Sequence, residues 1–303
     1  MAAGTTGTSQ IDQAVNKYLA ESRFTMQERP GVFMKSIRNE VLPTGQGPSV
    51  NIPKYGTITT YALTEGIDMA QAQQITDTMM TLTPTEYGNQ VVLTDLMLDE
   101  AKDEFFRVAG RIQGDSWNRF IDQTLADDVT NFSVQLGSAG TALTAGHVMA
   151  GQAAVVYAAP ANGTAGRGGE PAPGPYSFIG TPAHLHALRK NLTLTGYSGG
   201  TPSAENRPFI GDPGGEFTIP GVPDTTIKSD ININKDTSDD AHGCFISKEA
   251  WIYVTHGGGP SAEKQRDASL RAWEVNFTGR MARGEYQDGW GRDMLFDSAL
   301  PTS

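Results

Sequence analysis

Residues 61–129 constrain this chain more than any other stretch. They begin YALTEGIDMAQAQQITDTMMTLTPTEYGNQVVLTD and continue LMLDEAKDEFFRVAGRIQGDSWNRFIDQTLADDV. The first half carries no apolar stripe wide enough to bury it. Thr76, Thr78, Thr81, Thr83 and Thr85 are interleaved with Ile75, Met79, Met80 and Leu82, and the branched Cβ of threonine favours extended backbone. On the incoming side Val50 and Ile52, then Tyr55, Thr57, Thr59, Tyr61 and Leu63, keep a period of two. Pro53 and Pro84 fit edge positions or breaks in a ladder. The pattern predicts a two-stranded excursion over 48–93, and such a hairpin is only marginally stable alone in water. The second half predicts a long amphipathic helix capped by Asp95 or Asp99. Its apolar face is expected to hold Phe105, Val108, Ala109, Ile112, Phe120, Ile121 and Leu125. Gly110 and Gly114 each cost about 1 kcal/mol against alanine. Four residues apart, they share one side and admit a second backbone, or else mark a break near Gly114. A bare hairpin feeding one long helix suits a subunit whose extended segment is completed by neighbouring copies.

The segments on either side fit that picture. Ile11, Val15, Tyr18 and Leu19 lie at helical spacing, as do Phe33, Ile37 and Val41 after Pro30. Pro43, Gly45, Gly47 and Pro48 then break the chain, so residues 1–47 read as an arm of short amphipathic pieces that need a surface to lie on. Residues 130–250 are rich in glycine and proline. Within them Tyr176–Gly180 reads as a buried strand, Thr181-Pro182 as the cap and first position of a helix, and Thr226–Ser229 and Ile231–Ile233 as short strands. Toward the C-terminus Trp251–Val254 predicts a strand. Trp273, Val275, Phe277 and Met281 alternate with polar residues as a second, and Met294–Phe296 forms a last strand after an Asp288-Gly289 turn. The class is α+β with mainly antiparallel pairing.

Chemistry is hard to find. The net charge is −11 with no cluster of basic residues, which argues against gripping nucleic acid through a basic surface and favours enclosing it. No run of about 18 apolar residues marks a membrane span, and MAAGTTGTSQ has no secretory character. The single cysteine, Cys244, excludes an intrachain disulfide and reads as a small buried residue. His184 and His186 point about 200° apart on a helix, too far to share a metal. The run 256–260 (HGGGP) lacks the Gly-Lys-Ser/Thr of a phosphate loop, and KDTSDD lacks calcium-loop spacing. No Gly-x-Ser-x-Gly elbow occurs. No catalytic residue, metal ligand or cofactor is expected.

The order of elements resembles the major capsid proteins of tailed bacteriophages, whose fold is named for the Hong Kong ninety-seven phage and is shared by encapsulins. The resemblance covers about residues 10–298, on these segments: the arm IDQAVNKYLAESRFTMQERPGVFMKSI, the excursion SVNIPKYGTITTYALTEG with AQQITDTMMTLTPTEYGNQVVLTD, the helix DEAKDEFFRVAGRIQGDSWNRFIDQTLADDV, then FIGTPAHLHALRKNLTLTGY and AWEVNFTGRMARGEYQDGWGRDML. It implies a phage capsid fold with an N-arm (1–47), an extended β-hairpin E-loop (48–93), a long spine helix (94–130), an A-domain (131–250), and return strands of a P-domain sheet (251–303). It further implies a structural protein that builds pentamers and hexamers of an icosahedral shell around double-stranded DNA. Implied partners are further copies of itself, a separate scaffolding protein, a portal and a decoration or cement protein. Contacts between copies are then expected from Tyr61, Leu63, Glu65, Ile75, Met79, Met80 and Leu82 in the E-loop, and from Ile11, Val15, Tyr18 and Phe33 in the arm. Phe105, Val108, Ile112, Phe120 and Ile121 are the expected core of the spine helix. An encapsulin-like compartment or a soluble enzyme are the alternative readings.

Overall fold

The computed structural model describes residues 15–22, 31–45, 47–56, 58, 60–63, 65–66, 72–75, 77–100, 103–157, 171–195 and 224–301. Its helices are α1 (15–22), α2 (Val32–Ser36), α3 (Asp95–Glu100), α4 (Asp103–Asp127), α5 (Ala145–Tyr157) and α6 (Pro182–Thr195). Its strands are β1 (Arg38–Leu42), β2 (Val50–Tyr55), β3 (Asp77–Leu82), β4 (Thr85–Thr94), β5 (Gln135–Gly137), β6 (Tyr176–Gly180), β7 (Thr225–Ser229), β8 (Asp240–Ser247), β9 (Trp251–His256), β10 (Ser261–Asp267), β11 (Ala272–Glu285) and β12 (Gly291–Asp297).

The alternation expected over Trp273–Met281 builds the backbone of the first sheet. Val275, Phe277 and Met281 are buried. Along one edge of β11 runs β4, paired from Ala272↔Thr94 to Met281↔Thr85. Along the other edge run β10 and then β9, both antiparallel to β11. The HGGGP run joins these two nearly collinear strands. Gly257, Gly258 and Gly259 all take positive φ there, a conformation that side chains disfavour. β1 closes the sheet, parallel to β9. The strand β4 was expected to belong to the excursion; it is instead a full member of this sheet, so the excursion narrows to β2 and β3.

The second sheet has the order β5-β12-β8-β6-β7. The closing stretch 251–303 therefore serves both sheets, because β12 leaves the first and inserts between β5 and β8. Helix α6 begins as its sequence predicts. Thr181 Oγ1 accepts from the His184 N–H at 3.2 Å, and His184 Nδ1 accepts from the Thr181 N–H at 3.3 Å. With Nδ1 an acceptor, Nε2 carries the proton and donates to the Phe296 carbonyl at 3.1 Å. Burial lowers the His184 pKa and the Phe296 bond opposes it, so this histidine is a neutral core residue, while His186 is exposed. Cys244 is fully buried in β8, and burial raises its thiol pKa. Asp236 and Asp240 of the acidic run accept backbone N–H bonds from Ser238, Asp240 and Gly140. Ile231–Ile233 forms no strand, and Ile231 is exposed.

Helix α4 is continuous through Gly110 and Gly114. Thr94, not an aspartate, caps the preceding α3: its Oγ1 accepts from the Met97 N–H at 3.3 Å. Asp95 instead makes a two-pronged pair with Arg266. Gly110 is where α1 crosses: a Cβ there would lie 2.5 Å from the Tyr18 carbonyl oxygen. Gly110→Ala is therefore expected to destabilise by about 1–3 kcal/mol through overpacking, despite the better helix propensity of alanine. Urea unfolding midpoints of the two proteins check this.

Candidate assembly surface

The foot of the excursion is fixed to the first sheet. β2 and β3 pair from Val50↔Leu82 to Tyr55↔Asp77. Ile52 and Leu82 pack with Leu42, Ile252 and Val254 in a small buried cluster, with Met80 against it. Lys54 Nζ donates to the Tyr286 carbonyl at 2.9 Å, and the Tyr286 hydroxyl donates to the Pro53 carbonyl at 3.3 Å. Gly284 leaves the space that Met80 and Leu82 fill: a Cβ there would lie 2.4 Å from Met80 Cε. Beside this foot burial, then the Asp288 charge, raise Glu285 to about 7, and Lys54 opposes the rise.

Beyond Tyr55 and Asp77 the described residues form no strand, contrary to the expected alternation through Tyr61 and Leu63. Tyr61, Glu65 and Met79 are exposed, as are Ile58, Leu63 (67%) and Ile75. The run from Tyr55 to Asp77 contains Glu65 and no lysine, arginine or histidine. Leu82 and, in part, Met80 were expected at contacts between copies. They are used within the chain, in the foot.

The arm positions need the same correction. Val15 and Tyr18 are fully buried against Leu93 and Val275 of the first sheet, and Phe33 lies in the main core. Their apolar faces found a surface on their own chain. Ile11 lies outside the described residues.

The spine helix α4 is turned by about one position from the expected face. Gln113, Trp117, Ile121, Asp122 and Leu125 are buried, which leaves Ile121 and Leu125 as expected. Val108, Ile112 (64% exposed) and Phe120 face outward, and the side chain of Phe105 lies outside the described residues. The buried face is set by Gln113, whose Nε2 donates to Asn89 Oδ1 at 2.9 Å, and by Trp117, whose ring fills the space left by Gly279. Phe120 is half covered by Tyr87, at 5.0 Å between ring centroids. Exposed Arg107 and Arg119 flank the outward apolar residues, while Arg111 on the same side pairs with Glu21 at 2.6 Å. Among the described residues, the excursion and the outward side of α4 both leave apolar side chains unburied.

Among the described residues no group of three or more His, Cys, Asp or Glu side chains is placed to hold a metal ion, and no helix is long and apolar enough to cross a membrane.

No family model and no curated protein matches the chain. Solved structures do. The chain is similar to the capsid of Ralstonia phage GP4, with a TM-score of 0.64 at 11% identity over 91% of this chain and 93% of that one. It is similar to the cyanophage Pam1 capsid, with a TM-score of 0.64 at 11% identity over 90% and 93%. It is also similar to the head protein of Helicobacter pylori bacteriophage KHP40, with a TM-score of 0.63 at 9% identity over 86% and 87%. The fold is therefore that of the tailed-phage capsid proteins, over nearly the whole chain.

Proposed function

We propose that this chain is a major capsid protein, a structural subunit that assembles with copies of itself into an icosahedral phage head enclosing double-stranded DNA. One observation carries the reading: a capsid fold whose excursion is anchored at its foot while its outer apolar side chains stay exposed. Burying such side chains on a second copy is worth about 1.5–3 kcal/mol each. Capsid structures of phages are what the fold resembles.

In this reading β2, β3 and the run between them are the E-loop, α4 is the spine, the sheet around β11 belongs to the P-domain and the sheet around β8 to the A-domain. The E-loop lies over an adjacent copy, and its acidic, apolar edge complements the outward face of that copy's α4, with Arg107 and Arg119. A head-to-tail contact of this kind closes into rings, here the pentamers and hexamers of a head. The net charge of −11 fits a shell that confines DNA rather than wraps it. A scaffolding protein, a portal and a decoration or cement protein complete the proposed set of partners.

Sedimentation of the purified full chain tests the reading. Rings or megadalton shells are expected. A stable monomer or dimer under all assembly conditions, scaffolding protein included, contradicts it.

A further inference from the structure

Among the described residues the ladder of β2 and β3 is a sheet of its own, so no strand pairing sets its angle to the rest of the molecule. It is held at two points instead. Its inner end, at Ile52 and Leu82, sits in the apolar cluster with Leu42, Ile252 and Val254. Apolar burial is non-directional, so this contact holds the ladder down without setting where it points. The outer end is held by directional bonds. There the neighbouring residues Pro53 and Lys54 grip one tyrosine at both of its ends. The Tyr286 hydroxyl donates to the Pro53 carbonyl at 3.3 Å, and Lys54 Nζ donates to the Tyr286 carbonyl at 2.9 Å. The ammonium also lies 5.7 Å from the centre of the Tyr286 ring, within reach of a cation–π contact.

Tyr286 is itself a fixed point. It follows the last residue of β11, where the chain passes from the first sheet to the second. Its N–H donates to the Ala250 carbonyl at 2.8 Å, and Ala250 is fully buried. Its ring lies 5.8 Å from that of Trp290, between centroids, and packs against the apolar cluster at the foot. The outer end of the ladder is therefore referred to a residue that the body of the molecule holds through its main chain and its ring.

We propose that Lys54 and Tyr286 are the positioning residues of the excursion: together they fix the angle at which it leaves the molecule, and so aim it at a neighbouring copy. The proposal rests on the reading of β2, β3 and the run between them as the E-loop. With the apolar cluster as one point and the Lys54–Tyr286 clamp as a second, the ladder is held along a line rather than about a pivot. A segment that is already aimed loses less freedom when it docks. Where only a fraction of subunits hold the docking angle, the apparent affinity for a neighbour falls by that fraction. A hydrogen bond from a charged, half-buried donor shifts such an equilibrium about tenfold, which is enough to set the angle in the free subunit.

Distances between two spin labels on the full chain read the angle, whether or not shells form. The labels go on Asp77→Cys, at the exposed outer end of β3, and on Gln265→Cys, exposed on β10; Cys244 is fully buried. Labelled chain is diluted into excess unlabelled chain, so that each distance lies within one subunit. With Lys54 and Tyr286 in place a single main distance is expected. Lys54→Met keeps the aliphatic stem and loses the ammonium; it is expected to raise the population outside that distance about tenfold. Tyr286→Phe loses only the hydroxyl, and a rise of about threefold is expected. Without labels, Lys54→Met should need about threefold or more higher concentration to form shells, with a thermal midpoint close to that of the unsubstituted chain. Gly110→Ala, which strains the molecule away from the foot, is expected to keep the single distance. An unchanged distance in Lys54→Met overturns the proposal. So does an equal spread in Gly110→Ala, or shell formation by Lys54→Met at the usual concentration despite a spread distance. If the unsubstituted chain forms no shells while the distances respond as expected, the clamp stands and the capsid reading fails.

Discussion

Replacing residues 56–76 by Asn-Gly is expected to leave a folded, soluble subunit that no longer forms shells. The cut preserves the last rung, Tyr55↔Asp77, and an Asn-Gly turn is the favoured two-residue closure of such a hairpin. It preserves the cluster of Leu42, Ile52, Leu82, Ile252 and Val254, and the Lys54 and Tyr286 bonds. What goes is Ile58, Tyr61, Leu63 and Ile75, all exposed in the isolated chain. Full burial of each on a neighbour is worth about 1.5–3 kcal/mol, and each 1.4 kcal/mol is about tenfold in an association constant. Assembly should therefore fail at any practical concentration, while the thermal midpoint stays close to that of the full chain. Sedimentation and thermal unfolding of the same preparation read both halves. Shells of normal yield from the shortened chain refute the E-loop assignment.

Two substitutions on the spine helix are expected to act in opposite ways. Trp117→Ala removes a buried ring that fills the space beside Gly279. It should cost about 3–5 kcal/mol of stability, visible as a large drop in the urea midpoint. Ile112→Glu changes an outward residue of the same helix. It should stay within about 0.5 kcal/mol and still abolish assembly, because it sets a carboxylate where the excursion of a neighbour, acidic at Glu65 and Asp77, is proposed to dock. Destabilisation by Ile112→Glu as large as that by Trp117→Ala would mean that the helix faces the other way.

These two residues also show what the sequence made legible. The long helix, the strand through Val275 and Phe277, and the Thr181-Pro182 start of α6 were readable because each follows a local rule of period or capping. The orientation of α4 was not. Its outward face carries Val108, Ile112 and Phe120, whereas its buried face includes Gln113, Gly110 and Asp122. Apolar periodicity then points the wrong way, since the polar residues are buried by partners far along the chain: Asn89 for Gln113 and the α2 N–H groups for Asp122. The signal that could have corrected it was the run of small or polar residues at 110, 113 and 114, which marks close packing rather than solvent. The arm failed for a related reason. Val15, Tyr18 and Phe33 were correctly read as needing a surface, but spacing cannot say whose, and they lie on their own chain. The excursion was legible because it carries no apolar stripe wide enough to bury its outer part, a property that needs no tertiary knowledge to detect. Its strands were overextended because alternation in the sequence persists past Tyr55, where the described residues form no strand.

The central claim is that the missing core of the excursion is supplied by another copy. Cryo-electron microscopy of particles assembled from the full chain tests it most directly. The account predicts density for residues 56–76 lying along the outward face of the neighbour's α4, with Ile58, Leu63 and Ile75 covered there. An excursion folded back onto its own subunit within intact particles, or one exposed on the shell surface with the outward face of α4 bare, would contradict it.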